Sequence, residues 1–156
     1  PGRTGCSIPV SVVERLSQHP NIAGIKEASG DMSYAMKIAR CVGPDFALYS
    51  GNDDITVPLM SVGGSGVISV YANVMPAMCH QIVADFLGGN QAQAVANHLK
   101  YLQLMNDLFL EVNPIPVKTA MNLLGLNVGS MRLPLCEMEE KNKARLRAAM
   151  QAKGLL

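Results

Sequence analysis

Lys26 occupies a position suited to covalent chemistry. It ends the apolar segment 21–26, Asn-Ile-Ala-Gly-Ile-Lys, which is typical of a short buried strand. Alternation along that strand puts Lys26 on the same face as Ile22 and Gly24. In a βα barrel this face would point inwards, with Lys26 near the carboxyl end, where active sites gather. Partial removal of a lysine from water favours its neutral amine, which attacks carbonyl carbons. The alternative is a lysine that reaches solvent or pairs with Glu27.

Arg3 is the second candidate, in the glycine-rich turn Pro-Gly-Arg-Thr-Gly at residues 1–5. A guanidinium can bind a substrate carboxylate through two parallel hydrogen bonds, a geometry that lysine lacks. The alternative is a solvated arginine on the surface.

The segment 50–54, Ser-Gly-Asn-Asp-Asp, follows one predicted strand and precedes a helix. Gly51 would let the backbone approach a ligand closely, because it has no side chain. Asp53 and Asp54 are adjacent carboxylates of the kind used in acid–base catalysis. Aspartate at the start of a helix is more often a cap or a partner of the helix dipole, and we favour the cap.

Three other patterns indicate no chemistry by themselves. Gly-Gly-Ser-Gly at residues 63–66 lies between a helix and a strand, the reverse of a phosphate-binding loop, and predicts an αβ turn. Asn-Pro-Ile-Pro-Val-Lys at residues 113–118 predicts a tight loop that enters a helix. The histidines and cysteines lack the spacing of metal ligands or a redox pair, so we predict no metal, and reduced thiols that are structural and buried. These residues are His19, His80, His98, Cys6, Cys41, Cys79 and Cys136.

The elements that must position the candidates alternate in the first half of the chain. Ser7 is predicted to cap a first helix with Pro9 in its first turn, and Gly30 and Asp31 start a later one. Helices separate three predicted strands, which is the pattern of a parallel sheet. The strands are residues 21–26, 46–50 and 66–70. Four further helices are predicted at residues 74–87, 90–110, 115–124 and 137–153.

The composition fits one folded domain. The 156 residues are 49% apolar and 16% charged, and 13 basic against 12 acidic side chains leave a net charge of +1. These values disfavour a disordered chain and a basic surface for nucleic acid or anionic lipid. Apolar stretches are shorter than the roughly 20 residues of a membrane span. The chain opens in mid-turn without Met or a signal peptide, and three parallel strands form a poor sheet alone. We therefore expect the back half of a larger domain.

Five segments, taken in order, resemble the C-terminal half of the dihydrodipicolinate synthase and N-acetylneuraminate lyase family of pyruvate-dependent class I aldolases. The resemblance extends over essentially the whole chain. It implies an α/β fold: the last three strands of a (β/α)8 TIM barrel over residues 1–88, then a C-terminal helical domain over residues 89–156. The segments are Pro-Gly-Arg-Thr-Gly (1–5), Gly-Ile-Lys-Glu-Ala (24–28), Ser-Gly-Asn-Asp-Asp (50–54), Gly-Val-Ile-Ser-Val (66–70) and Asn-Pro-Ile-Pro-Val-Lys (113–118).

The resemblance also implies a lyase that condenses pyruvate with aspartate-4-semialdehyde to 4-hydroxy-tetrahydrodipicolinate, in diaminopimelate and lysine biosynthesis. Lys26 would form a Schiff base with pyruvate, and Arg3 would bind the semialdehyde carboxylate. Gly51 and Ile68 would contact the pyruvyl group. The resemblance implies no cofactor, nucleic acid or membrane, and a cytoplasmic homo-oligomer that is a dimer of dimers.

The family's proton-relay tyrosine and its partner threonine lie upstream of the matched half, so we expect this chain alone to be inactive. Two alternatives stay open. The first is an aldolase of the same group that acts on a sugar acid, which Arg3 disfavours, because the neuraminate lyases lack an arginine there. The second is a non-catalytic half-barrel that serves as a scaffold, which the intact surroundings of Lys26 disfavour.

Overall fold

Three short parallel strands alternate with helices in the first part of the chain. The computed structural model describes residues 2–156, and the residues up to Ser69 make one compact unit. The elements of this unit are α1 (Val10–Leu16), β1 (Gly24–Glu27), α2 (Met32–Ala39), β2 (Ala47–Ser50), α3 (Thr56–Met60) and β3 (Gly66–Val67). The sheet order is β1-β2-β3, so α2 and α3 make the crossovers that parallel strands require.

The core of this unit lies on one face of the sheet. Along β2, Leu48 and Ser50 are buried while Tyr49 is 37% exposed. Since register pairs Lys26 with Tyr49, Lys26 lies on the face opposite the core. Helices α1, α2 and α3 bury their apolar sides on the core face, the one that carries Leu48. The buried cluster is Val13, Ala35, Ile38, Phe46, Leu48 and Leu59.

The strands are shorter than the sequence predicts. The first begins at Gly24 rather than at residue 21, because pairing with β2 starts there. The third ends at Val67 rather than at residue 70, because its partner β2 ends at Ser50. The predicted order of strands and helices is confirmed.

The two predicted helix starts differ in outcome. Asp31 caps α2, since its Oδ1 accepts hydrogen bonds from the N–H groups of Ser33 at 2.8 Å and Tyr34 at 3.1 Å. The prediction that Ser7 caps α1 is wrong. Pro9, whose backbone is extended, occupies the cap position instead. The helix therefore begins at Val10, and Pro9 is not part of its first turn.

The second compact unit runs from Val70 to Leu156 and is helical. It contains α4 (Pro76–Leu87), α5 (Gln91–Asp107), α6 (Ile115–Leu123) and α7 (Glu140–Gln151), which confirms the four predicted helices. Helix α4 packs along α5, and α7 packs against both α5 and α6. Arg145 Nη2 lies 2.7 Å from Oδ1 of the buried Asp107, which joins α7 to α5.

The segment 113–118 enters α6 as predicted, and its lysine holds the loop that follows this helix. Lys118 Nζ donates to the Ser130 carbonyl over 2.5 Å. Asn122 accepts from the Val128 N–H at 2.9 Å and donates to the Gly129 carbonyl at 3.1 Å. The segment therefore has an observed role in fixing local structure.

The compact units divide earlier than the predicted domain boundary after residue 88. Helix α4 packs with α5, and the 3₁₀ turn Tyr71–Asn73 packs with α4 and α6, so these elements group with the helices that follow. The predicted boundary concerns the domains of a complete barrel, and it stays a prediction.

The glycine-rich segment 63–66 joins α3 to β3, which confirms the αβ turn. The cysteines are free, but only Cys79 is buried: Cys41 is half-buried, and Cys6 and Cys136 are exposed. The expectation of buried thiols is therefore wrong for the last two, which lie in the irregular segments before α1 and α7 rather than in helices. Among residues 2–156, no helix combines the length and apolar character needed to cross a bilayer.

Candidate active site

Lys26 lies one residue before the end of β1, and its side chain is exposed. Register places it beside Tyr49 of β2, which pairs in turn with Gly66 of β3. Ile68 continues the same alternation, is 49% exposed, and donates its N–H to the Ser50 carbonyl over 2.8 Å. The structure therefore brings Lys26 and Ile68 to one face of the sheet, near the carboxyl ends of the strands.

Gly51 begins the loop after β2 and lies directly against the Lys26 side chain. A Cβ at position 51 would be 2.9 Å from Lys26 Cε, 2.9 Å from the Glu27 carbonyl oxygen and 2.5 Å from Ala28 Cβ. The Gly51 N–H donates to that same carbonyl over 2.6 Å. Glycine is required for this approach, so the aliphatic stem of Lys26 rests on backbone.

Glu27 is only 3% exposed, and its side chain folds towards the next turn rather than pairing with Lys26. Its Oε1 accepts the Ser29 N–H at 2.6 Å and also the Ser29 hydroxyl. The Ser29 Oγ in turn accepts the Asp31 N–H at 3.0 Å. These bonds supply the donors that a buried carboxylate needs, and they fix the turn between β1 and α2.

A cavity of about 610 Å³ opens beside this turn, within the size range of small-molecule sites. One wall is the segment before α1, and the other is the end of β1 with the start of α2. The lining residues are Thr4, Cys6, Ser7, Ile8, Ile25, Lys26, Glu27, Ala28, Ser29, Asp31 and Tyr34.

Tyr34 connects the two walls of this cavity. Its hydroxyl donates to the Ile8 carbonyl over 2.7 Å. Burial raises the pKa of the Tyr34 phenol above its ordinary value of 10.0, and the negative charge of Glu27 raises it further. The phenol therefore stays protonated, and able to donate, throughout the neutral range.

Asp53 and Asp54 lie in the 3₁₀ turn Asp53–Ile55 ahead of α3. The prediction that they act as caps is wrong, because Asn52 occupies the cap position and no side-chain cap bond forms in that described turn. Their place in its first turn agrees with the dipole alternative. Asp53 is buried and accepts the Ser69 hydroxyl, so its carboxylate ties this loop to the chain after β3.

Arg3 is exposed in the turn at residues 2–5. Its neighbour Thr4 lines the cavity, whereas the described cavity wall does not include Arg3. The structure therefore brings Lys26 and Gly51 into contact. Arg3 is adjacent in sequence to a lining residue of the cavity but is not itself part of the described wall.

Ser29 and Tyr34 are site residues that sequence reasoning missed, and Glu27 was considered only as a partner of Lys26. The Tyr34–Ile8 bond joins residues 26 apart in the chain, so no local pattern could reveal it. Among residues 2–156, no three His, Cys, Asp or Glu side chains form a group that could hold a metal ion.

Comparison with known protein families gives a match over nearly the whole chain. A family model described as the dihydrodipicolinate synthetase family matches residues 1–153. The chain belongs to this family.

Relatives of the dihydrodipicolinate synthetase family match along the whole chain. The 4-hydroxy-tetrahydrodipicolinate synthase of Clostridium perfringens is 48% identical over 100% of this chain and 54% of its own length. The chain spans about half the length of the curated relatives it matches.

Solved structures of the family agree with the fold. The crystal structure of DHDPS from Cyanidioschyzon merolae with lysine bound has a TM-score of 0.95 and 42% identity, over 100% of this chain and 53% of its own. A chloride-inhibited dihydrodipicolinate synthase from Acinetobacter baumannii complexed with pyruvate has a TM-score of 0.94 and 37% identity, over 100% and 54%. The prediction that this chain is the C-terminal part of a (β/α)8 barrel followed by helices is confirmed.

Proposed function

We propose that the natural protein containing this chain is a lyase that condenses pyruvate with aspartate-4-semialdehyde to give 4-hydroxy-tetrahydrodipicolinate. One observation carries the proposal: the 48% identity, over 100% of this chain, to a relative named for that product. The product is a precursor of diaminopimelate and lysine. The related synthase from Acinetobacter baumannii was crystallised in complex with pyruvate, which supports the choice of first substrate.

In this proposal Lys26 is the nucleophile. Its amine adds to the ketone carbon of pyruvate, and loss of water gives a protonated imine. This imine is a better electron sink than the ketone, so a methyl proton passes to the proton-relay residues that the family carries upstream of the matched half, and an enamine forms. The enamine carbon attacks the aldehyde of the second substrate, and cyclisation then releases the product and the free amine. The presence of Lys26 in the cavity wall supports this role, and the close approach of Gly51 to Lys26 Cε supports the lysine stem there.

The proposal assigns the remaining predicted residues to substrate binding. Gly51 and Ile68 contact the pyruvyl group, and Arg3 binds the semialdehyde carboxylate. The location of Ile68 on the same sheet face as Lys26 supports the first assignment. The exposure of Arg3, next in sequence to the cavity-lining Thr4, supports the second, because an exposed guanidinium is available to an incoming carboxylate. We also propose that the protein acts as a cytoplasmic homo-oligomer.

Borohydride trapping tests the role of Lys26. The natural protein is mixed with pyruvate, reduced with borohydride, digested and mapped by mass spectrometry. We expect one reduced pyruvyl adduct, on Lys26, and no adduct in Lys26→Arg, which keeps the charge but cannot serve as the amine. An adduct on another lysine would refute the role of Lys26, and the absence of any adduct would refute the mechanism and favour the scaffold alternative. An adduct on Lys26 without turnover of aspartate-4-semialdehyde would favour the sugar-acid aldolase.

A further inference from the structure

Glu27 is the buried charged residue next to Lys26 to which the proposed reaction assigns no role. It shares the wall of the cavity with Lys26, but its carboxylate faces Ser29. Oε1 accepts both the N–H and the hydroxyl of that serine, so the side chain closes a tight turn directly after the reactive residue.

The main chain of Glu27 connects this turn to the loop after β2. Its carbonyl accepts the Gly51 N–H at 2.6 Å, and Gly51 is the residue on which Lys26 Cε rests. A change in the path of the chain after Glu27 would therefore move the surface that supports the lysine stem.

The turn is also anchored on a helix. Ser29 Oγ accepts the Asp31 N–H at 3.0 Å, and Asp31 caps α2 through the amides of Ser33 and Tyr34. A continuous chain of hydrogen bonds thus runs from the Glu27 carboxylate to the start of α2. This anchoring ties the turn after Lys26 to the start of α2.

We infer that Glu27 is a positioning residue for Lys26: its carboxylate, acting as a double acceptor for Ser29, holds the β1–α2 turn and Gly51 so that the lysine amine meets the substrate ketone. The inference rests on the proposed function. The carboxylate acts through hydrogen-bond acceptance rather than through its charge, because Oε1 faces the two donors of Ser29. A glutamine in its place keeps an oxygen with two lone pairs and loses the charge.

The test measures how fast pyruvate forms the imine in the natural protein. Rapid mixing with pyruvate, quenching with borohydride and mass mapping of Lys26 give the limiting rate and the pyruvate concentration at half that rate. The variants are Glu27→Ala, Glu27→Gln and Ser29→Ala. Glu14→Ala is the matched control, since Glu14 is an exposed carboxylate on α1. Thermal unfolding checks that each variant is folded.

We expect Glu27→Ala to lower the limiting rate on the order of 10- to 100-fold, as displacement of a reacting group by about 1 Å does. The half-saturating pyruvate concentration should change little, because the lost group does not touch pyruvate. Glu27→Gln should restore most of the rate and keep the wild-type pH profile, and Ser29→Ala should give an intermediate loss. If Glu27→Ala fails to fold, the comparison of Glu27→Gln and Ser29→Ala with Glu14→Ala decides.

Two results would overturn the inference while the proposed function stands. One is a normal rate in the folded Glu27→Ala variant, or in Ser29→Ala if Glu27→Ala does not fold. The other is a Glu27→Gln variant as slow as Glu27→Ala, or with a shifted pH profile, which would assign the effect to charge. Absence of the Lys26 adduct in the wild type would instead refute the proposed function, and the inference with it.

Discussion

Main-chain atoms form one side of the surroundings of Lys26. Gly51 supports its stem, and the Glu27 carbonyl holds Gly51 in place through its N–H. Backbone walls occupy little volume and do not rotate between rotamers. Such a wall holds the aliphatic stem of the lysine in place and leaves its amine accessible to a planar ketone. A fixed orientation of this kind favours fast addition.

Arg3 should govern recognition of the second substrate. A charge-assisted hydrogen bond to a carboxylate contributes about 1.5–3 kcal/mol, or on the order of 10- to 150-fold in binding. We expect Arg3→Ala to raise the KM for aspartate-4-semialdehyde by a factor in that range, and to lower kcat if the same contact orients the aldehyde. Steady-state kinetics with the natural protein measure both values.

Imine formation with pyruvate should stay near normal in Arg3→Ala, because that step involves no second carboxylate. Arg15→Ala, which removes an exposed arginine from α1, is the control for a general loss of surface charge. Unchanged semialdehyde kinetics in Arg3→Ala would contradict the assignment and reopen the sugar-acid aldolase alternative.

Among the elements, α2 connects most of the candidate site. Asp31 at its start receives the hydrogen-bond chain that begins at Glu27, and Tyr34 in its first turn binds the carbonyl of Ile8. The segment before α1 and the turn after β1 are therefore both held by one end of one helix. Strain or fraying at that end would open both walls of the cavity together.

The Tyr34 phenol makes this connection sensitive to alkali. Its pKa is raised in the folded protein, so above the ordinary value of 10.0 the unfolded chain releases the proton first. The contribution of Tyr34 to the free energy of unfolding is therefore fully present below that pH, and it is lost as pH rises through the folded-state pKa. We expect the protein to lose stability in this alkaline window more steeply than a Tyr34→Phe variant.

Urea unfolding at neutral and alkaline pH, compared between wild type and Tyr34→Phe, measures this difference. At neutral pH the variant should be less stable by about 0.5–1.5 kcal/mol, the net contribution of one hydrogen bond. Tyrosinate absorbance provides a second readout, since the variant should lack one titration with a midpoint above the ordinary value. Parallel pH curves for the two proteins would contradict the assignment.

The order of elements could be predicted from sequence, because the apolar periods and the Gly and Pro breaks between residues 20 and 125 are local signals. Strand ends could not, since β3 stops where its partner stops, and that partner ends at Ser50. The motif around Lys26 predicted the candidate site, which stays a prediction, and the expectation that Asp53 and Asp54 act as caps was wrong. The contact of Gly51 with Lys26 depends on strand register, and the Tyr34–Ile8 bond depends on how α2 packs, so neither is visible in one sequence.

The molecule as a whole leaves apolar side chains in solvent on both of its compact units. Tyr49 and Ile68 are 37% and 49% exposed in the first unit, and Leu133 is 93% exposed in the second. In the described sheet, β1 has a partner on one side only, and so does β3. Exposed apolar surface and open strand edges are the usual starting points of association.

The 156-residue chain produced alone should therefore associate and lack turnover. Light scattering measures its mass over a concentration series, and a coupled assay with pyruvate and aspartate-4-semialdehyde measures activity. Co-expression with the N-terminal half of a close relative is the control, and it should reduce association. A monodisperse monomer with turnover would contradict this prediction.

Gly24 limits which substitutions the chain can accept near Lys26. A Cβ at this position would lie 2.5 Å from the Ala47 carbonyl oxygen, because β1 and β2 approach closely there. Every missense change in a glycine codon adds at least a methyl group. At Gly51, in the loop after β2, that group would collide with Ala28 Cβ and the Glu27 carbonyl oxygen. In a library of random variants, both codons should therefore be depleted of missense changes among active clones, although neither residue carries a functional group. The pattern of tolerated substitutions would therefore identify the backbone positions that support Lys26, without any chemical probe.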